Sequence, residues 1–284
     1  MRRFEFSSPR SLGEALRFLS EKGERAKVIA GGTDLIPRLR EGVSQSDFVL
    51  NVLEIGELNG IREADQVLHI GATTTHTQIA ESPVLQRNCP ALTQAAASIG
   101  GPPVRNRGTI GGNIVNASPA ADLACALLAL DAEAVLRSEK GSRAVALGDF
   151  FTGPGQTVIR PDELLTEVTV RAPKGKGLFR KLGRRQAMSL SIVNVAVFME
   201  MEGKVCRKCR VALGSVAPTP IRCPQAEQMI MNKETTPELL AKCAVEAIKA
   251  TQPIDDQRAK AWYRIEAGTV LLRRALAEAT GLRA

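Results

Sequence analysis

Two glycine-rich stretches constrain this chain more than any other feature. One reads AGGTDLIPRL, from Ala30 to Leu39, and the other reads RGTIGGNIVNASPAAD, from Arg107 to Asp122. Each stretch lies between apolar runs and contains Gly-Gly close to a threonine. Because glycine has no Cβ, successive glycines let main-chain N–H groups approach an anion closely. The pair therefore indicates either two tight connections or the two sides of one anion site.

Neither stretch is a standard nucleotide-binding fingerprint. The chain contains no G-x-x-x-x-G-K-[ST] and no G-x-G-x-x-G after a strand, which excludes a P-loop and a Rossmann site. Thr33 and Thr109 could add hydroxyl donors to an anion site, and Asn113 and Asp122 could hold a sugar or polyol. Two such turns in one chain make a shared diphosphate site an alternative of equal weight to two unrelated connections.

The hydrophobic pattern divides the 284 residues into three parts. Residues 1–56 alternate between strand and helix patterns and predict the order β-α-β-α-β. Residues 57–172 predict a mixture of helices and strands, and APKGKG at 172–177 is the predicted linker. Residues 177–284 predict a separate α+β unit, with a hairpin around EGK and two amphipathic helices.

The first helix carries clear signals at both ends. Leu12, Leu16 and Leu19 share one helical face. Ser11 and Glu14 predict a capping box, and Gly23 predicts the end of the helix.

The excess positive charge is local. The chain has a net charge of +8, but residues 171–210 alone hold eleven lysines and arginines against two acidic residues. A local excess favours one docking or anion-binding face. A nucleic-acid-binding protein is an alternative, although one tryptophan and one tyrosine provide few stacking platforms.

The cysteines and histidines predict no metal site and no catalytic residue in this chain. Six cysteines are scattered through the sequence, which predicts reduced thiols in a cytoplasmic protein. Cys206 and Cys209 have the C-x-x-C spacing but lack further ligands, and on a strand their side chains should point to opposite faces. His69 and His76 form no zinc signature and are expected to be structural. We expect no secretory signal, because no apolar core follows the two N-terminal arginines, and no membrane span, because no apolar run approaches ~20 residues.

Four motifs, taken in order, resemble a single family. They are AGGTDL (30–35), RGTIGGNIVNASPAAD (107–122), FFTGPGQTVIRPDELLTEV (150–168) and KLGRR (181–185). They are similar to the FAD-binding (medium) subunit of the molybdenum hydroxylases, the group of xanthine dehydrogenase and carbon monoxide dehydrogenase. The resemblance extends to about residue 280, because QPIDDQRAKAWYRIEAGTVLLRRAL resembles the C-terminal domain of that family.

The resemblance implies an α+β fold and a set of FAD contacts. It implies a two-lobed FAD-binding domain of the vanillyl-alcohol-oxidase (PCMH) type, with lobes at 1–56 and 57–172, and a small α+β domain at 177–284. The implied cofactor-binding residues are Val28, Ile29, Ala30, Gly31, Gly32, Thr33, Asp34, Leu35, Ile99, Gly108, Thr109, Gly111, Gly112, Asn113, Asp122, Leu165 and Lys181. Lys181 matches a lysine near the flavin, where a cation would favour reduced FAD.

The resemblance also implies partner subunits and an electron-transfer role. A large subunit would carry the molybdopterin cofactor and a small subunit two [2Fe–2S] clusters, in an (αβγ)2 assembly. This chain would pass electrons from the clusters through FAD to an external acceptor, without a membrane span and without nucleic acid. The acidic residues that NAD-reducing relatives carry after the paired arginines are replaced by QAMSL at 186–190. This departure counts against NAD as the acceptor, and a quinone, another carrier or dioxygen are the other acceptors left open. A stand-alone flavoprotein oxidoreductase is the second alternative.

Overall fold

The computed structural model describes residues 3–282, whose strands form three main sheets that follow one another along the chain. Met1, Arg2, Arg283 and Ala284 belong to the first predicted lobe and the predicted C-terminal domain, and they lie outside the described residues.

The first sheet is parallel, with the strand order β1-β3-β2. Its elements are β1 (Glu5–Ser7), α1 (Leu12–Lys22), β2 (Ala26–Ile29), α2 (Leu35–Arg40) and β3 (Phe48–Asn51). The predicted β-α-β-α-β order is confirmed. Leu12, Leu16 and Leu19 are buried in one core with Leu50, as the helical pattern requires.

Helix α1 begins and ends at the predicted residues. The Ser11 hydroxyl accepts a hydrogen bond from the Glu14 N–H (3.3 Å), and Gly23 ends the helix with a φ of 53°. The Glu14 carboxylate accepts from the N–H of Arg10 (3.2 Å) rather than from Ser11. The reciprocal half of the predicted capping box is therefore wrong, because the carboxylate reaches one residue further back.

The second sheet is antiparallel, with the strand order β4-β5-β10-β6-β7. Its elements are β4 (Ile61–Ala64), β5 (Val67–Gly71), α3 (His76–Glu81), α4 (Pro83–Asn88), α5 (Pro90–Ala97), α6 (Pro102–Arg105), α7 (Ile110–Val115), α8 (Asp122–Ala129), β6 (Glu133–Ser138), β7 (Gly141–Ala146), α9 (Leu147–Phe150), β8 (Phe151–Gly153), β9 (Gln156–Thr157) and β10 (Leu164–Arg171). Every residue of α8 is buried, because this helix packs against α5 on one side and the third sheet on the other.

The third sheet follows in the order β11-β12-β13-β14, with β15 paired to β13. Its elements are β11 (Lys176–Gly183), β12 (Ser191–Glu202), β13 (Val205–Gly214), β14 (Ile221–Arg222), α10 (Pro224–Ile230), β15 (Lys233–Glu234), α11 (Pro237–Ile248) and α12 (Ala261–Thr280). The predicted hairpin is confirmed, with EGK at its turn. The two predicted amphipathic helices are confirmed as α11 and α12.

The two faces of the third sheet join different cores. Ala196 and Phe198 are buried in the core that contains α8, whereas Val193 and Val195 are buried in the core with α11 and α12. This alternation follows the two-residue period of a strand. One face of the sheet therefore completes the core of the preceding unit.

The predicted linker is shorter than the sequence indicated. Strand β11 already begins at Lys176, so only residues 172–175 connect it to β10. Gly177 belongs to the sheet because it pairs with Phe198, and a Cβ at Gly177 would lie 3.3 Å from Ala91 of α5. Tertiary packing thus outweighs the loop preference of KGKG.

Asp131 joins the second and third units by ion pairs. Arg210 Nη2 of β13 lies 2.5 Å from Asp131 Oδ2, and Arg222 of β14 pairs with the other carboxylate oxygen. Arg222 also donates to the Leu128 carbonyl at the end of α8 (3.0 Å). These contacts hold the third sheet against the carboxyl end of α8.

The two thiols of the C-x-x-C segment lie on one face, so the prediction of opposite faces is wrong. The β12–β13 pairing shifts by one residue, since Lys208 opposes Glu200 whereas Cys206 opposes Met201. Arg207 is the extra residue, and a bulge of this kind turns the following side chains over. A hydrogen bond between the thiols lowers the pKa of Cys206 and raises that of Cys209. Both cysteines are buried in the core with α11 and α12, as strand residues.

Candidate flavin site

The two glycine-rich stretches meet in the structure. The first follows β2 at the carboxyl end of the parallel sheet, and the second runs from the end of α6 into α7. A Cβ built on Gly31 would lie 1.8 Å from the carbonyl oxygen of Arg107 and 3.0 Å from the nitrogen of Gly108. The backbones of the two stretches are therefore in direct contact, and only glycine permits that approach.

The first stretch offers main-chain donors. Among the described residues, the N–H groups of Gly31, Gly32, Thr33 and Asp34 have no hydrogen-bond acceptor. Gly32 has a φ of 71°, a left-handed conformation that turns successive N–H groups toward one side. Asp34 precedes α2 without a side-chain cap bond. The stretch is suited to bind an anion, because four adjacent N–H groups are available to donate to it.

The N–H groups of the second stretch already donate to acceptors within the protein. The N–H groups of Ile110, Gly111 and Gly112 donate to the Thr74 carbonyl (3.0 Å), the Ala72 carbonyl (2.9 Å) and the Thr109 hydroxyl (3.1 Å). The expectation that these donors point at an anion is therefore wrong in this structure. The physical reason is local, because α7 needs Thr109 as its N-cap and packs its first turn on the end of β5.

The glycines of the second stretch have separate roles. Gly108 packs on His76, and Gly111 packs on Ala72, since a Cβ at either position would lie 2.9 Å or less from those residues. Gly112 is exposed, and a Cβ there would meet only the Thr109 hydroxyl at 3.1 Å. The Asn113 Oδ1 is buried without a hydrogen-bond partner within the described part of the chain. That acceptor would be satisfied by the hydroxyl of a bound polyol.

Arginines surround the meeting point. Arg38 of α2 donates to the Asn116 side chain at the end of α7 (3.4 Å), and Arg105 donates to the Ile99 carbonyl (3.1 Å). Arg107 is exposed at the contact itself. Positive charge on both sides adds to the attraction for an anion.

Asp122 and Lys181 form a buried ion pair. Lys181 Nζ lies 2.6 Å from Asp122 Oδ2 and also donates to the Ser98 carbonyl at 3.1 Å. Asp122 is 5% exposed, and its Oδ1 accepts from the Ser191 hydroxyl (2.6 Å) and from Asn194 Nδ2 (2.7 Å). The structure thus pairs two residues that the sequence treated as separate contacts. Ser191 and Asn194 were missed, because no local pattern marks either one.

The comparisons with known proteins identify the family. Residues 2–173 match the FAD binding domain in molybdopterin dehydrogenase, and residues 178–279 match the CO dehydrogenase flavoprotein C-terminal domain. The chain belongs to the FAD-binding subunits of the molybdopterin dehydrogenases. It is accordingly a subunit of an oxidoreductase.

Similar proteins in this family cover nearly the whole chain. The medium chain of carbon monoxide dehydrogenase from Hydrogenophaga pseudoflava is 34% identical over 96% of both chains. The xanthine dehydrogenase FAD-binding subunit of Escherichia coli is 34% identical over 97% of both. The structure of the Hydrogenophaga pseudoflava enzyme lacking the Mo-pyranopterin moiety gives a TM-score of 0.95, at 34% identity over 100% of this chain and 99% of that one. Quinoline 2-oxidoreductase from Pseudomonas putida gives a TM-score of 0.94 at 26% identity, over 99% of this chain and 98% of that one.

The remaining family positions are spread over several elements. Val28 and Ile29 end β2, Ala30 follows them, Leu35 begins α2, and Ile99 lies between α5 and α6. Leu165 lies on β10 and is 3% exposed, within the core of the second unit. The structure therefore brings the first stretch beside the second, and Asp122 beside Lys181, whereas Leu165 is a core residue.

Within residues 3–282, no three side chains of His, Cys, Asp or Glu are arranged to bind a metal. No helix in the same range has the length and apolar character needed to cross a membrane.

His76 lies beneath the contact between the stretches and is neutral at pH 7. The main-chain N–H of His76 donates to the Gly108 carbonyl (3.0 Å), and the residue is 3% exposed. Burial, with the charge of Arg105 as a smaller cause, lowers the pKa of His76 from 6.5 to about 4. The structural role of His76 stays a prediction, which its burial supports. His69 lies on β5, where its Nδ1 contacts Glu167 (3.2 Å) and Arg62 (3.1 Å) at the surface of the sheet. Among the described residues it belongs to no cluster of three potential metal ligands.

Replacing His76 with phenylalanine should remove part of the acid sensitivity of this family member. Because the folded pKa lies below the unfolded value, the unfolded state binds the proton first as the pH falls from 6.5 toward 4. The wild type should lose about 2 kcal/mol of stability at pH 5 from this group, with no loss above pH 7. Urea unfolding at pH 7 and pH 5 measures the difference. Identical pH dependence in the wild type and His76→Phe would show that burial does not depress this pKa.

Proposed function

We propose that this chain carries one FAD at the place where the two glycine-rich stretches meet, and that it transfers electrons from [2Fe–2S] clusters of a partner subunit to an external acceptor. FAD supplies the chemistry when bound, since it accepts electrons one at a time and releases them as a pair. The chain's own residues bind the cofactor, orient it and set the charge around it.

The contact between Gly31 and Arg107 is the observation that carries the proposal. It brings the N–H groups of Gly31–Asp34, which have no acceptor within residues 3–282, beside α7 and its flanking arginines. The diphosphate of FAD is an anion that needs such donors. In this proposal the first stretch binds the diphosphate by its backbone, and the second stretch contributes the Thr109 hydroxyl and the Asn113 side chain.

The proposed site takes in residues on either side of this meeting point, and most of them would contact other parts of FAD. Leu165, which is 3% exposed, would support the site from the core. The proposed residues are Val28, Ile29, Ala30, Gly31, Gly32, Thr33, Asp34, Leu35, Ile99, Gly108, Thr109, Gly111, Gly112, Asn113, Asp122, Leu165 and Lys181. Val28 is 38% exposed and Ile99 is half-buried, so both have apolar surface available to rings. Gly108 and Gly111 would act by allowing close packing rather than by contact through their N–H groups.

Partner subunits complete the proposed complex. A large subunit with the molybdopterin cofactor and a small subunit with two [2Fe–2S] clusters would assemble with this chain as (αβγ)2. The acceptor in this proposal is NAD, a quinone, another carrier or dioxygen, and the lack of an acidic residue in QAMSL at 186–190 counts against NAD. All six cysteines of the sequence are free and buried, which is consistent with a cytoplasmic protein.

Gly112→Val tests whether FAD lies against α7. The added Cβ would have only the Thr109 hydroxyl within 4 Å, so the side chain should occupy the proposed FAD position and weaken FAD binding by about tenfold or more, on the order of 1.4 kcal/mol. The measurement is a fluorescence titration of the full chain with FAD, together with thermal unfolding of the FAD-free chain. Gly148→Val is the matched control, because Gly148 is exposed on α9 with no atom within 4 Å of its Cβ position. Unchanged FAD affinity in folded Gly112→Val would contradict the proposed FAD position.

A further inference from the structure

We propose that Ser191 and Asn194 are positioning residues of the flavin site. From the third sheet they fix the Asp122 carboxylate, which in turn holds Lys181, and by this route they favour the reduced over the oxidised cofactor. The inference rests on the proposed FAD site. It gives the C-terminal domain a role in setting the redox potential.

A bulge in β12 brings the two side chains to the same face. Asn194 pairs with Lys181 across the β11–β12 ladder, and Ser191 pairs with Gly183. Because Val193 pairs with Leu182, Ile192 is an extra residue without an opposite. In a regular strand Ser191 would share the face of Val193, which is the opposite face from Asn194. The extra residue therefore aligns Ser191 with Asn194 and Lys181.

These three donors occupy both oxygens of one carboxylate. Ser191 and Asn194 donate to Asp122 Oδ1 at 2.6 and 2.7 Å, and Lys181 donates to Oδ2 at 2.6 Å. Ser191 and Asn194 are fully buried. Hydrogen bonds from buried donors to an ionised acceptor are short and directional, so they fix the plane of the carboxylate. Lys181 is then held at a single place.

A hydrogen bond from α12 stabilises the bulge. Arg264 donates to the Ile192 carbonyl (2.6 Å) and to the Ser215 carbonyl (2.9 Å), and it is 2% exposed. A buried cation thus satisfies the carbonyl of the extra residue. The position of Ser191 consequently depends on a contact between α12 and β12.

The orientation in which the Asn194 amide donates to Asp122 costs folding free energy. Its Oδ1 is buried without a hydrogen-bond partner among the described residues, and it lies 2.2 Å from the position of a Cβ on Gly214. A buried unpaired carbonyl is unfavourable for folding. An apolar residue would fill the same space without that cost, which argues that the amide is retained for its contact with Asp122.

The consequence for the cofactor is electrostatic. Reduced FAD carries more negative charge than oxidised FAD, so a positive potential favours reduction. The hydroxyl and amide donors compensate the charge of Asp122, and they leave the Lys181 ammonium less neutralised. Removing either donor should therefore lower the midpoint potential of the bound FAD.

The test compares Ser191→Ala and Asn194→Leu with the wild type, as full chains loaded with FAD. Each variant should bind reduced FAD about tenfold less tightly relative to oxidised FAD, which lowers the two-electron midpoint potential by about 30 mV. Ser191→Thr keeps the hydroxyl and should restore the wild-type potential. Val195→Ala is the packing control, since Val195 is buried on the opposite face of β12. Redox titration of the flavin absorbance measures the potential, and the FAD content is determined on each sample.

The outcomes separate this inference from the proposed function. Full FAD content with an unchanged potential in both Ser191→Ala and Asn194→Leu would overturn the inference and leave the FAD site standing. An equal shift in Val195→Ala would also overturn it, because loose packing alone would then explain the effect. A wild-type chain that binds no FAD would instead refute the proposed function.

Discussion

Replacing Gly31 with alanine is expected to weaken FAD binding more than any other single change in the two stretches. The added Cβ would lie 1.8 Å from the carbonyl oxygen of Arg107 and 2.5 Å from its carbonyl carbon. Both atoms belong to backbone, so no side-chain rotation can relieve the clash. The two stretches must separate, and the N–H groups of Gly31–Asp34 then move away from α7. FAD affinity should fall by about a hundredfold or more, on the order of 2.7 kcal/mol.

The FAD content of the purified full chain and its titration with FAD measure this effect. Gly13→Ala is the matched control, because Gly13 is exposed on α1 and has no atom within 4 Å of its Cβ position. The control should keep full FAD. A Gly31→Ala chain with wild-type FAD content would mean that the two stretches do not form one site.

Replacing Arg264 with methionine is expected to destabilise the third unit by about 3–5 kcal/mol, the range for removing one partner of a buried ion pair. Arg264 donates to the carbonyls of Ile192 and Ser215 and to Asp256 Oδ1 at 2.6 Å. Methionine fills similar volume but leaves two buried carbonyls and a carboxylate without that donor. The N-terminal end of α12 should then detach from β12.

Urea unfolding followed by circular dichroism measures the loss. Arg273→Met serves as the control, because Arg273 is exposed on the same helix and should change stability by less than about 0.5 kcal/mol. If the two variants unfolded at the same urea concentration, the buried guanidinium would not be holding the bulge of β12.

The sequence predicted those parts of the fold that local patterns decide. The spacing of Leu12, Leu16 and Leu19 and the cap at Ser11 are short-range signals, and the structure confirms helix α1. The hairpin around EGK was equally local. The two glycine-rich stretches are separated by about 75 residues, and their meeting was expected from their resemblance to one family rather than from their spacing.

The bulges could not be predicted, because distant residues decide them. The extra residue at Ile192 is held by Arg264, which is 72 positions further along the chain. The prediction that Cys206 and Cys209 point to opposite faces was wrong because of the bulge at Arg207. A one-residue change of register moves every following side chain to the other face of the strand. For this reason Ser191 and Asn194 carried no signal in the sequence.

The second glycine-rich stretch contacts the first, but the acceptors of its N–H groups were not predicted. Its N–H groups bind Thr74, Ala72 and Thr109, and two of its glycines serve packing. A sequence shows which residues lack a Cβ, but not which carbonyls will occupy their N–H groups. That depends on how α7 packs against the end of β5.

The FAD content of the native complex tests the central claim most directly. The complex would be purified through a tag on this chain, and FAD, molybdenum and iron would be measured in the same sample. The proposed site predicts one FAD per copy of this chain, released by denaturation. A complex that contains its molybdenum and iron but no flavin would contradict it.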